Sequence, residues 1–240
     1  MSFTGTGPPE VPRSALADRV LERLTSVYAA AADPERAVAM RAYMKDVAPF
    51  VGLATPLRRS LSRTVLEGMP RPSESDCTAI ALRCWELPER EYHYFAVDYL
   101  RRHAGRCSSA FLPVAHHLVT TVSWWDTVDM LAVHVVGALV AADPKLTADM
   151  DAWIVDDDLW VARTALLHQL SYKERTDPER LFTYCLRQSA HPDFFIRKAI
   201  GWCLREYAKT DPEAVRAFLA REQGRFAPLS VREALKNIGA

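Results

Sequence analysis

The sequence lacks several features that would have identified a function at once. No apolar run approaches the roughly 20 residues that a membrane-spanning helix needs, so we expect no membrane partner. It contains no Walker loop, no GxGxxG turn and no GxSxG turn, which excludes the common nucleotide-binding sites and the serine-hydrolase elbow. Its five cysteines form no CxxC pair, and no signal peptide precedes them. We therefore expect reduced thiols and a cytoplasmic, nucleoid-associated protein.

Metal-ligand spacing is also missing. His116 and His117 are adjacent and point apart on a helix, and His134 and His168 are 34 residues apart without a third ligand nearby. We expect neither a metal nor a cofactor. The formal net charge is zero, from 30 basic and 30 acidic residues. A neutral total argues mildly against a nucleic-acid-binding protein, but binding depends on where the charges lie.

Almost the whole sequence has the pattern of short helices. Residues 1–13 are rich in glycine, proline and small polar residues, which predicts a disordered N-terminal segment followed by one domain over residues 14–240. Helices are predicted near 14–31, 35–47, 56–67, 74–86, 89–104, 110–120, 124–140, 145–155, 158–171, 178–188, 193–208, 212–222 and 229–238. No segment alternates for long enough to predict a strand, so the fold class is all-α.

The spacing of the helix breakers predicts a repeat. Three Asp-Pro pairs, at residues 143–144, 177–178 and 211–212, recur every 34 residues. Each unit should be two helices, and stacked units should form a solenoid with one concave face. In this register Asp129, Arg163 and Arg197 are equivalent, so an acid stands where the next two units carry arginine. The alternative is that both arginines are structural, bonding loop carbonyls or acids; for Arg163, residues 156–158 are a ready acidic partner.

Basic residues collect in two regions of the sequence. They gather on the predicted inner helices from 187 to 232 and in a shorter run at 58–63, whereas acids dominate 143–158. Positive charge on a concave wall suits a phosphate backbone. Solvated faces of amphipathic helices would give the same pattern.

The stretch from Ser123 to Asp129 (SWWDTVD) carries the most specific chemistry. Ser123 and Asp126 have capping spacing, and Trp125 and Asp129 are four apart, which puts both on one helix face. A carboxylate beside an indole suits a cationic guest. A capped helix with inward-packed tryptophans is the alternative interpretation.

Three segments resemble the AlkD-type DNA glycosylases, alkylpurine repair enzymes with HEAT-like repeats. They are residues 41–59 (RAYMK, PFVG, TP and RR), 123–137 (SWWDTVD to VG) and 159–207 (LWVARTAL, QLSYK and DFFIRKAIGWCLREY). The resemblance implies that Asp129 is the catalytic acid and that Trp125 and Trp202 line the cleft. It implies that Arg163 holds a phosphate and that Tyr43, which matches a tyrosine of the family, contacts DNA. From its repeat position among the basic residues, we expect Arg197 to contact DNA as well. Ala162 departs from the family, which often has a second arginine there.

From the resemblance we predict a right-handed solenoid of HEAT-like repeats with a DNA-binding concave groove. The predicted activity is monofunctional excision of N3- and N7-alkylated purines from duplex DNA by a monomer without cofactors. A catalytically silent protein that recognises bent or branched DNA is one alternative, and a protein-interaction scaffold is the other.

Overall fold

The computed structural model of the protein describes residues 7–236. Within them the chain is helical and contains no strand, which confirms the predicted all-α class. Residues 1–6 of the segment predicted to be disordered lie outside the described residues, and residues 7–13 form no helix. The end of the last predicted helix, residues 237 and 238, also lies outside them.

The contacts divide the chain into two compact units with a boundary between Thr127 and Val128. The first unit contains α1 (Ala15–Ala30), α2 (Pro34–Tyr43), α3 (Thr55–Leu66), α4 (Glu74–Glu86), α5 (Arg90–His103) and α6 (Leu112–Thr120). Helix α7 (Trp125–Leu131) includes the boundary. The second unit continues with α8 (Gly137–Ala142), α9 (Thr147–Trp153), α10 (Leu159–Leu167), α11 (Pro178–Arg187), α12 (Phe194–Tyr207), α13 (Pro212–Arg221) and α14 (Pro228–Ala234). The single domain over 14–240 stays a prediction.

The Asp-Pro pairs begin helices because each part of the pair suits a helix start. The carboxylates of Asp177 and Asp211 accept hydrogen bonds from the backbone N–H groups of Arg180 and Ala214, respectively. Proline follows each cap at a position where its missing N–H costs nothing. Asp33 caps α2 in the same way. These local hydrogen bonds explain why the Asp-Pro pairs mark the starts of helices.

The helical repeat is confirmed by packing within each unit. In the second unit α10 packs on α12 and α12 packs on α14. Helix α9 packs on α10, α13 packs on α12, and α11 packs on both α10 and α12. Hydrogen bonds repeat the 34-residue spacing: Tyr28 bonds Ser62 in the first unit, and Gln188 bonds the Ile154 carbonyl in the second. Within each compact unit, each helix pair therefore buries its apolar face against the next helix pair.

The helix predicted over 124–140 is interrupted, contrary to expectation. A π-helical segment, Ala132–Val136, separates α7 from α8. Gly137 then lies against α10 so closely that a Cβ there would stand 2.3 Å from the His168 carbonyl oxygen. The Tyr172 hydroxyl donates to the Gly137 carbonyl at 2.6 Å. Only glycine permits this approach.

One stretch of the described residues, Trp125–Ala142, is long and apolar enough to resemble a membrane span by length and composition. The expectation that no apolar run approaches that length is therefore wrong for these 18 residues. However, 61% of the stretch is buried inside the protein, as in the core helix of a soluble protein. The absence of a membrane partner stays a prediction.

Two buried histidines make stability depend on pH. Burial lowers the pKa of His93 in the first unit and of His168 in the second, each to about 4. Between pH 6.5 and 4 the unfolded chain therefore binds more protons than the folded one, so the free energy of unfolding should fall on acidification. The slope should be at most about 1.4 kcal/mol per pH unit for each histidine. Urea unfolding across this range tests it: His168→Gln should lower the slope by up to about 1.4 kcal/mol per pH unit, and an unchanged slope would contradict the assignment.

Candidate active site

The candidate active site centres on an ion pair that joins two successive repeats of the second unit. Asp129 lies on α7 and Arg163 on α10, 34 residues later. Arg163 Nε lies 2.7 Å from Asp129 Oδ1, and Nη2 lies 2.8 Å from Oδ2. Both residues are buried, Asp129 with 8% and Arg163 with 4% of its surface exposed. Such two-point pairs fix orientation as well as charge.

Arg163 makes a third contact with the next repeat. Its Nη1 donates a short hydrogen bond to the Phe195 carbonyl, and its guanidinium lies 5.9 Å from the centre of the Phe195 ring. The Phe195 ring packs in turn against Trp160, with centroids 5.1 Å apart. A guanidinium has five N–H donors, so these bonds leave one donor on each Nη.

The structural alternative correctly anticipates that Arg163 pairs with an acid, but it names the wrong acids. Two of the acids at 156–158 are used locally, since Asp156 accepts from the Asp158 N–H and Asp158 caps α10 at Trp160. Arg163 instead pairs with the acid at its repeat-equivalent position. The contact of Arg163 with DNA stays a prediction. Arg163 has to make that contact while it is paired with the acid.

Trp202 and Arg197 both lie on α12 of the second unit. Trp202 is half-buried. Arg197 Nε donates to the His191 carbonyl at 3.0 Å, which is the loop contact that the structural alternative anticipates. The predicted roles of Trp202 in the cleft and of Arg197 on DNA are untested by these contacts.

Trp125 and Tyr43 belong to the first unit. Trp125, the first residue of α7, is 37% exposed, and Tyr43, the last residue of α2, is 75% exposed. Exposed aromatic side chains of this size are available to a ligand. Their assignment to the cleft and to DNA stays a prediction from the resemblance.

A buried network that no sequence pattern predicted holds the start of α7. Arg90 on α5 donates from Nη2 and Nε to the two carboxylate oxygens of Asp126, at 2.6 and 3.0 Å, and from Nη1 to the Val122 carbonyl. The Tyr94 hydroxyl donates to Asp126 at 2.6 Å. Burial and then the Asp126 charge raise the pKa of Tyr94 well above its usual value. The 36-residue separation of Arg90 and Asp126, close to the repeat period, was the available signal.

This network replaces the predicted capping arrangement. Asp126 bonds Arg90 and Tyr94, and the Ser123 hydroxyl donates back to the Val119 carbonyl at 2.6 Å. The turn before α7 is therefore fixed by tertiary contacts. Val122 in this turn adopts the left-handed region, with φ of 50°, which is unusual for a β-branched residue.

His168 is another titratable side chain of the second unit that the sequence singled out. It is buried, and its Nδ1 lies 2.7 Å from the Ala165 carbonyl oxygen. Since its pKa is lowered to about 4, the ring is neutral at pH 7. Within residues 7–236, no group of three histidine, cysteine, aspartate or glutamate side chains could hold a metal ion.

The two roles of Arg163 can be separated experimentally. Arg163→Lys keeps the charge but loses the two-point geometry, so we expect the free energy of unfolding to fall by about 1.5–3 kcal/mol. If Arg163 also contacts a phosphate, Arg163→Gln should make the plot of log affinity against log salt shallower by about 0.9. A normal slope in Arg163→Gln together with the stability loss would leave Arg163 a purely structural role.

Comparison with known proteins agrees with this architecture. The family model described as DNA alkylation repair enzyme matches residues 24–238. A solved structure described as a predicted DNA alkylation repair enzyme from Enterococcus faecalis has 30% sequence identity and a TM-score of 0.78. The match covers 86% of this chain and 96% of that chain. No curated protein matches the sequence.

These matches confirm the part of the sequence prediction that concerns DNA alkylation repair, with DNA as the substrate. The match to the family covers most of the chain and includes both compact units. The chain belongs to the DNA alkylation repair enzyme family.

Proposed function

We propose that the protein is a monofunctional DNA glycosylase that excises positively charged N3- and N7-alkylated purines from duplex DNA. The observation that carries the proposal is the nearly buried carboxylate of Asp129, oriented at two points by Arg163. A structural acid would satisfy the same geometry, but family membership places this one in a DNA repair enzyme.

The chemistry requires little more than an oriented carboxylate. Alkylation at N7 or N3 makes the purine a cation and weakens its bond to the sugar, so no acid has to protonate the leaving base. As the bond breaks, the sugar becomes oxocarbenium-like and needs nearby negative charge and a positioned water molecule. A carboxylate can provide the negative charge and hold the water molecule in position. The low dielectric around a buried carboxylate strengthens its attraction for the sugar.

Arg163 has a positioning role in this scheme. Its guanidinium balances a carboxylate that would otherwise be costly to bury, and the contact with Phe195 fixes the guanidinium in turn. Its two remaining donors can hold a backbone phosphate without releasing Asp129. Trp202, in the same unit, is proposed to contact the sugar, and Arg197 the backbone. The roles of Trp125 and Tyr43 rest on the resemblance.

The direct test is incubation with duplex DNA that contains N7-methylguanine, followed by measurement of free base. Release above the spontaneous rate, from an excess of enzyme in a single turnover, is the expected result. Spontaneous depurination of the same duplex gives the baseline. Tight binding without release would contradict the glycosylase proposal.

Lesion selectivity should follow leaving-group charge. His168 is neutral at pH 7 and bonds within its own helix, and we propose that no side chain protonates a neutral leaving base. N7-methylguanine and N3-methyladenine should therefore be released, whereas uracil, hypoxanthine and 8-oxoguanine should remain. Because no lysine acts as nucleophile in the proposal, the product should be an intact abasic strand.

A panel of duplexes with one lesion each tests this selectivity. Free base and strand cleavage before alkali treatment are scored separately. Comparable release of a neutral base would reveal a general acid that the proposal lacks. Strand scission trapped by borohydride would reveal a lysine that forms a covalent intermediate.

The same ion pair supports a second candidate, a DNA-binding protein without catalysis. Arg163 engages both oxygens of Asp129, which leaves the carboxylate neutralised in the described state. Such a protein would recognise bent or branched DNA. Binding that depends steeply on salt, without release of any alkylated base, would identify it.

A further inference from the structure

Two buried cysteines of the second unit lie next to each other and have no role in the proposal above. Cys185 is on α11 and Cys203 is on α12, and both are free thiols. Their Sγ atoms lie 3.6 Å apart. Two neighbouring cysteines can form a disulfide, whereas an isolated buried cysteine is inert. The pair is therefore a candidate site of thiol oxidation.

A cavity in the same unit gives a small oxidant access to one of the two sulfurs. Cys203 lines this cavity together with the exposed residues Lys173 and Lys209, and the cavity volume is about 140 Å³. A water molecule needs about 10–15 Å³ on the same measure, so there is room for hydrogen peroxide, which has only two heavy atoms. Cys203 is 4% exposed, whereas Cys185 is completely buried. An oxidant that enters the cavity therefore meets Cys203 first.

The hydrogen bonds of the pair give its two thiols different roles. Cys203 Sγ donates its single proton to the Ile200 carbonyl at 3.3 Å. In the contact between the two sulfurs, Cys185 is therefore the donor and Cys203 the acceptor. Such a hydrogen bond stabilises a thiolate at Cys203, and the thiolate is the nucleophilic form. Burial, and then the hydrogen bond with Cys203, raises the pKa of Cys185 well above its usual value, so Cys185 stays protonated.

We propose that Cys203 is a site of oxidation by hydrogen peroxide and that Cys185 converts the product to a disulfide. The Cys203 thiolate attacks one peroxide oxygen, the O–O bond breaks, and the departing hydroxide takes up the proton that Cys203 released. The Cys185 sulfur then attacks the sulfur of the resulting sulfenic acid, the S–O bond breaks, and the hydroxide leaves with the Cys185 proton. Two thiols are oxidised to one disulfide, and one peroxide molecule is reduced to two molecules of water.

The disulfide would join the two helices of one repeat. Helix α12 also carries Trp202, which precedes Cys203, and Arg197. The oxidation requires no DNA, so it does not rest on the glycosylase proposal, and either proposal can fail without the other.

The test exposes the folded wild-type protein to hydrogen peroxide near neutral pH and maps its thiols by mass spectrometry without reduction. Trypsin cleaves between the two cysteines, so a disulfide appears as linked peptides 181–187 and 199–205. The expected product is this linked pair, which a dithiol reductant should separate. Absence of the linked pair would overturn the proposal, as would a disulfide between Cys77 and Cys107 alone.

Alanine variants separate the roles of the two thiols. In Cys185→Ala the sulfenic acid at Cys203 cannot form the disulfide, so we expect a dimedone adduct on Cys203 and complete loss of the linked peptides. In Cys203→Ala we expect Cys185 to stay unmodified, because it is completely buried. A dimedone adduct on Cys185 in the second variant would reverse the roles and overturn the proposal. Melting temperatures verify that both variants fold, and the map of the wild-type protein stands without them.

Cys84→Ala is the matched control. Cys84 is also completely buried, and burial raises the pKa of its thiol, but it lies in the first unit. This variant should give the wild-type yield of linked peptides. In the wild-type protein, Cys203 should lose its thiol at least about tenfold faster than Cys84. Equal rates would overturn the proposal.

Urea at concentrations below the unfolding transition distinguishes entry through the cavity from oxidation of the unfolded chain. If peroxide reaches Cys203 in the folded protein, the rate of disulfide formation should stay constant as urea is added. A rate that rises in proportion to the unfolded fraction would overturn the proposal, because the thiols would then react only after unfolding.

Discussion

Asp129→Asn is expected to lower the single-turnover rate of N7-methylguanine release by about 10²-fold or more. Asparagine keeps the shape and one oxygen acceptor but removes the charge that stabilises the oxocarbenium-like sugar. Free base is measured with enzyme in excess over a duplex that contains one lesion. A wild-type rate in this variant would refute the role of Asp129, whatever happened to binding.

The ion pair adds a second expected consequence of the same substitution. Arg163 loses its counter-charge while buried, so the variant should also lose about 3 kcal/mol of stability. Rates must therefore be compared below its melting transition. Affinity for undamaged duplex should change far less than the rate.

Glu233→Gln is the matched control for the loss of a buried, paired carboxylate in the same unit. Glu233 is 5% exposed and lies 2.8 Å from Arg205 and 3.0 Å from Lys198. The Glu233→Gln variant should lose stability without a comparable loss of the single-turnover rate of base release. A similar loss of rate in both variants would attribute the effect of Asp129→Asn to unfolding.

Arg90→Met is expected to lower the free energy of unfolding by about 3–5 kcal/mol. Methionine fills much of the space, but the Asp126 carboxylate then keeps Tyr94 and loses the cation that balanced its charge. The Val122 carbonyl also loses a donor. Since Arg90 is 1% exposed, water cannot easily replace these bonds. Urea unfolding followed by circular dichroism gives the change.

An exposed ion pair supplies the comparison for Arg90. Arg225→Met breaks the pair with Glu222, in which the arginine side chain is 56% exposed, and should cost less than about 1 kcal/mol. The double variant Arg90→Met/Asp126→Leu should recover part of the loss, because it removes the unpaired charge. A loss below 1 kcal/mol in Arg90→Met would mean that Asp126 finds another partner.

The sequence by itself determined the helices and their repeat. Helix starts depend on bonds between residues two or three apart, such as Asp177 to Arg180 and Asp211 to Ala214. Proline and carboxylate at fixed offsets reveal these bonds without any tertiary contact. The 34-residue period follows because every unit repeats the same local signals. The period also placed Asp129 and Arg163 at equivalent positions of successive repeats. The sequence therefore related the two residues that the structure brings into contact.

Only the tertiary structure decided which charges meet. Three acids at 156–158 were nearer to Arg163 in the sequence, yet Asp129 is its partner, because packing of successive repeats brings equivalent positions together. The same packing joined Arg90 to Asp126. A side chain's long-range partners depend on helix rotation and burial, which sequence spacing constrains only in part. The helices therefore follow from local chemistry, and the charge pairs follow from how those helices pack.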